Sequence, residues 1–217
     1  MGKKVFSSII ISLFLLSGIF MFSCSQNLPE AKYALPTVIF EYNTEDSLPK
    51  PRLSIFVESV SDVRRYSSIS IKSIENNYVW DTDDIVKFRT GDRTYAGYAN
   101  FVVPDGEEFP SGVYEITYIN ADDEKIDLRT LVTYDSTFYQ TKASEIPEYM
   151  KAKRGVSSII IFNKNKEVMY FGEKREDLSN ARKIWNKYKD AAFYQDVWSL
   201  SDNSVMCVMP LKEVVPE

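Results

Sequence analysis

Hydrophobic and polar positions alternate through most of residues 37–134, in short runs separated by turn-forming residues. Alternation with period two puts successive side chains on opposite faces of an extended chain. Each run therefore predicts a strand with one buried face. The runs are 37–42, 53–57, 67–74, 85–89, 95–103, 113–119 and 126–134, with a short addition at 78–80. Ile69 and Ile71 share one face of the third, and Tyr114, Ile116 and Tyr118 share one face of the sixth. Thr90-Gly91-Asp92-Arg93, Pro104-Asp105-Gly106 and Ala121-Asp122-Asp123-Glu124 supply turn chemistry between runs. Short strands at close intervals, with no helical stretch among them, predict a β-sandwich over residues 37–140.

The pattern changes beyond residue 140. Residues 141–155 lose the alternation, contain Pro147 and end in Lys151-Ala152-Lys153-Arg154-Gly155, which predicts a linker. Residues 158–162 and 168–171 then read as a hairpin around Asn163-Lys164-Asn165-Lys166. Over 176–189 the apolar side chains Leu178, Ala181, Ile184, Trp185 and Tyr188 recur at helical spacing. Two more strands are predicted at 193–200 and 205–209. The order β-β-α-β-β predicts a small α+β unit with one helix over 156–217.

Upstream, alternation gives way to a basic start, Lys3-Lys4, and an uncharged apolar run at 5–22. This is the anatomy of a secretory signal, here residues 1–23. Met21-Phe22-Ser23-Cys24 resembles the lipobox of bacterial lipoprotein precursors. The resemblance implies a diacylglyceryl group on the Cys24 sulfur, cleavage before it, and acylation of the new amino terminus. Several acyl chains on one residue give stable membrane attachment. Ser25, where Asp would favour the inner membrane, implies the outer membrane or cell surface. Residues 24–36 then read as the lipidated cysteine and a short tether. The same apolar run is long enough to be read as an uncleaved transmembrane helix. Either reading places the remaining chain outside the cytoplasm.

A second resemblance sharpens the sandwich. Pro110-Ser111-Gly112-Val113-Tyr114-Glu115-Ile116 is similar to the corner before strand F in immunoglobulin-like and fibronectin type III-like modules. It implies that the Tyr114 hydroxyl bonds back to the backbone. Ile116 stands where antibody domains carry a cysteine.

Composition narrows the function. Residues 1–23 hold two lysines and no acid, so their removal leaves 24 basic and 31 acidic side chains, a net charge of −7. That argues against a nucleic-acid partner, which needs a basic stripe. Histidine is absent, which excludes Ser-His-Asp and Cys-His catalysis and histidine-containing zinc sites. If Cys24 carries lipid, Cys207 is left without a disulfide partner. Its apolar neighbours predict a buried, inert thiol. Asp81-Thr82-Asp83-Asp84 and Asp122-Asp123-Glu124 are acidic turns without calcium-loop spacing. No metal, cofactor or catalytic residue is assigned.

The chain holds 14 Tyr, 13 Phe and 3 Trp, enough for both a core and an exposed surface. Tyr66, Tyr78, Trp80 and Tyr98 are the candidates for an exposed stacking platform. The expected role is a non-catalytic binding or scaffolding module for an envelope or extracellular protein. The alternatives are a carbohydrate-binding module using that platform and a histidine-free hydrolase using paired carboxylates.

Overall fold

In the computed structural model, which describes residues 31–59, 66–120 and 124–214, the alternating runs form strands in the expected order. The leader, Cys24, Asp122 and Asp123 lie outside the described residues. The first eight strands are β1 (Ala31–Glu41), β2 (Lys50–Ser59), β3 (Tyr66–Ser73), β4 (Val79–Thr82), β5 (Val86–Thr90), β6 (Arg93–Phe101), β7 (Gly112–Asn120) and β8 (Lys125–Val132). They divide into a run β1-β2-β6-β5 in one sheet and a four-stranded sheet β4-β3-β7-β8. The chain changes sheet after β2, after β4 and again after β6. Immunoglobulin-like sandwiches divide their strands in this way.

The two sheets close on one apolar layer. Val38, Phe40, Leu53, Ile55 and Val57 from the first meet Ile69, Ile71, Tyr114, Ile116 and Tyr118 from the second. Burying each large apolar side chain contributes about 1.5–3 kcal/mol. Tyr118 also bridges the sheets, its hydroxyl donating to the Ala96 carbonyl at 2.7 Å.

The tether is shorter than the sequence reading, because β1 begins at Ala31 rather than at residue 37. Pro36 does not prevent the strand. It lies in the half of β1 that only β2 flanks, since the partner on the other side reaches only Val38 to Glu41. A proline in an edge segment interrupts no second ladder.

The expected linker is also folded. Short 3-10 turns at Ser136–Gln140 and Ala143–Glu145 lead into helix α1 (Ile146–Ala152). Phe138, Ala143, Ile146 and Met150 are buried in the sandwich core, and the Phe138 ring stacks on Phe40 at 5.2 Å. Ile146 and Met150 lie one turn apart on the same helix face. Pro147 sits in the first turn, where a missing N–H costs nothing.

The remaining strands are β9 (Val156–Asn163), β10 (Val168–Glu173), β11 (Ala191–Ser199), β12 (Val205–Val208) and β13 (Lys212–Glu213). The helix expected at 176–189 divides into a 3-10 turn, Glu176–Leu178, and α2 (Ala181–Lys187). Asn180 causes the break by capping α2, its side chain accepting from the Lys183 N–H at 3.0 Å.

Strand β12 runs parallel to β1, with Val205 opposite Val38 and Cys207 opposite Phe40. Hydrogen bonding is therefore continuous through β10-β9-β11-β12-β1-β2-β6-β5, with β13 on β11. A second core of Ile159, Ile161, Leu178, Ile184, Ala191 and Val214 lies beneath α2. The cross-strand register Ile159–Asp196, Trp198–Cys207 and Cys207–Phe40 puts both cores on the same face of this large sheet.

Candidate binding surface

The sequence-predicted aromatic residues do not form one platform. Tyr66 is only 2 % exposed and packs against Tyr118 with ring centroids 5.0 Å apart, so it belongs to the core. Tyr98 is half-buried and meets Phe101 edge-on at 5.0 Å. Tyr78 and Trp80 do lie together, stacked at 5.4 Å. Trp80 in turn stacks near Tyr114 at 6.2 Å, and its indole N–H donates to the Val102 carbonyl at 2.6 Å. Tyr78 donates to Glu107. These two rings are committed to neighbours within the fold.

Tyr114 is buried at the start of β7 and donates to the Pro110 carbonyl at 2.8 Å. Two further tyrosines hold the same corner. Tyr139 accepts from the Phe109 N–H at 2.8 Å, and Tyr134 donates to the Phe109 carbonyl.

The other candidates resolve as follows. Cys207 is fully buried, and burial pushes its thiol up to about 12. Lys153, from the basic cluster, pairs with Asp135 at 2.7 Å and lies over the Tyr149 ring at 4.9 Å. In the first acidic turn the Asp84 N–H bonds to the Thr82 hydroxyl at 3.1 Å. Among the described residues no cluster of His, Cys, Asp or Glu is arranged to hold a metal ion.

The surface that sequence reading did not single out is the second face of the large sheet. Among the described residues, both helices and all three 3-10 turns bury their apolar side chains against the two cores on the first face. The second face nevertheless presents Leu35, Phe56, Val86, Phe88, Tyr95, Phe162 and Phe193. The register gives that placement: Leu35 opposes Phe56, Phe56 opposes Gly97, Gly97 opposes Val86, and Phe162 opposes Phe193. Leu35, Val86 and Phe88 are each 42–47 % exposed.

An aromatic cluster organises the β5 end of this face. Phe88 meets Phe56 edge-on at 5.2 Å and stacks on Tyr95 at 5.1 Å. Gly97 makes room for it. A Cβ there would lie 2.8 Å from the Phe56 ring and 2.1 Å from the Ile55 carbonyl oxygen. Beside the cluster, Glu58 is 3 % exposed and accepts from the Tyr33 hydroxyl at 2.6 Å and Lys32 at 3.1 Å, with Arg93 at 3.6 Å. The Tyr33 and Lys32 bonds hold its carboxyl below the usual range. The result is an apolar patch with a charged rim.

At the other end of the same sheet lies a cleft of about 430 Å³, lined by Glu41, Tyr42, Asn43, Phe162, Lys166, Phe193, Gln195 and Leu211. The shifted carboxylates among the described residues, Glu58, Asp135, Glu176, Asp177 and Asp202, are all lowered by hydrogen bonds or cations.

A signal for this face was present in the sequence. Ile55-Phe56-Val57 and Ile159-Ile160-Ile161-Phe162 are uninterrupted apolar runs, which mark strands apolar on both faces. Compared with known proteins, the chain matches no protein family and no curated relative.

Proposed function

We propose that this chain is a lipid-anchored bacterial envelope protein that binds a protein partner through the second face of its large sheet. The observation that carries the reading is the aromatic cluster in which exposed Phe88 packs on half-buried Phe56 and Tyr95, on a face with no covering element among the described residues. Aromatic side chains supply large contact area at low entropic cost and are enriched at interface centres. The anchor rests on the lipobox resemblance at Cys24. From there six residues reach Ala31, so the sandwich is held within about 25 Å of the membrane at full extension.

Affinity capture of the lipidated protein from cells tests the partner, with Phe88→Glu as the comparison. A protein captured by the wild type and lost with Phe88→Glu supports the reading. Equal recovery with both overturns the assignment of this face. The anchor is tested separately with an inhibitor of the lipoprotein signal peptidase, which must raise the protein's mass by retention of residues 1–23. Carbohydrate binding through Trp80 gains no support from its stacked, hydrogen-bonded setting.

A further inference from the structure

We propose that the cleft at the β9–β10 end of the large sheet binds a small organic acid, with one carboxylate on an apolar body. This ligand is separate from the protein partner and uses the opposite end of the same face. Phe162 and Phe193 lie opposite each other on β9 and β11, so their rings share the floor, and Leu211 stands in the wall. A concave site of about 430 Å³ with two aromatic rings on its floor and the polar side chains of Glu41, Asn43, Lys166 and Gln195 around it fits a small ligand that is part apolar and part charged.

Charge sets the ligand's sign. Glu41, the carboxylate in the lining, already has a cationic partner in Arg52 at 3.3 Å. Lys166 has no carboxylate partner among the described residues. The cleft thus carries one cation without a carboxylate partner among the described residues beside the Phe162 and Phe193 rings, where a ligand carboxylate gains a charge-assisted hydrogen bond.

The turn that carries this cation is fixed along its backbone, while the Lys166 side chain itself is exposed. Asn163 builds the turn that presents it, accepting from the Asn165 N–H at 2.9 Å and the Glu167 N–H at 3.0 Å. Its own carbonyl accepts from the Lys166 N–H at 3.0 Å. Gln195, one of the polar groups in the wall, is fixed by its bond to the Met209 carbonyl at 2.8 Å. Preorganisation of this kind lowers the entropic cost of binding.

The test is a titration of the full chain in detergent micelles with 4-phenylbutyrate and, as the neutral control, 4-phenylbutanol, followed by backbone amide shifts. The acid is expected to bind saturably and to move the Lys166 and Gln195 amides. Lys166→Gln, in an exposed turn, is expected to weaken the acid about tenfold and to leave the alcohol unchanged. Phe193→Leu, which keeps apolar bulk, is expected to weaken both. Absence of saturable acid binding at millimolar concentration overturns the proposal. So does acid binding that is indifferent to Lys166→Gln.

Discussion

Two residues show how tightly local geometry is set. Gly97 lets Phe56 lie across β6, and any Cβ at that position collides with backbone. Gly97→Ala is therefore expected to destabilise the fold by about 1–3 kcal/mol, read as a lower urea midpoint with an unchanged slope. Cys207 illustrates burial. Its thiol is pushed up to about 12, so the neutral form is the folded form. The sign follows: stability is unaffected at neutral pH and declines as pH climbs above the ordinary thiol value of about 8.5. Iodoacetamide at pH 8 is expected to label Cys207 only as fast as the protein opens. Rapid labelling of folded protein would contradict its placement. Tyr114 was legible in the sequence because its corner bond is local, spanning four residues. Tyr66 was not, because alternation says that a side chain takes one face of a strand but not which face meets the second sheet.

At the scale of elements, the strands were legible and the short helix α1 was not. Alternation survives in strands whatever they pair with, whereas seven residues beginning Ile-Pro carry too little periodicity to announce a helix. Asp135 holds that element down. It accepts from Thr137 N–H at 3.0 Å, Tyr149 at 2.8 Å and Lys153 at 2.7 Å. These partners, Lys153 first, hold its carboxyl well below the usual range. A depressed folded value means that its stabilisation is present above the unfolded Asp value of about 3.9 and is lost as pH falls below it. Asp135→Asn is expected to lower stability at pH 7 and to flatten the acid limb. Urea midpoints at pH 7 and pH 3 should fall less between the two conditions in the variant than in the wild type. An identical fall would show that Asp135 contributes nothing to the acid limb.

At the scale of the molecule, the feature that could not be read from sequence is the parallel pairing of β12 with β1. It joins segments from opposite ends of the chain, and no local signal encodes it. The pairing supplies Val205 and Cys207 to the sandwich core and covers one edge of β1. A chain cut after Gly155 is accordingly expected to lose cooperative unfolding. A sharp two-state transition in that fragment would show that the sandwich needs no such support. The apolar second face of the large sheet was partly legible, in the unbroken runs at Ile55-Phe56-Val57 and 159–162. Its openness was not, because only the assembled packing shows which face the helices cover.

The central claim is that this open face docks a protein, and site-specific photo-crosslinking in cells tests it most directly. A photoreactive residue replaces Phe88 on the open face, and in a second strain it replaces Leu131, which is 57 % exposed on the smaller sheet. Adducts are identified by mass spectrometry. A reproducible protein adduct from position 88 that is absent from position 131 is the predicted result. No protein adduct at position 88, or the same adducts at both positions, would contradict it.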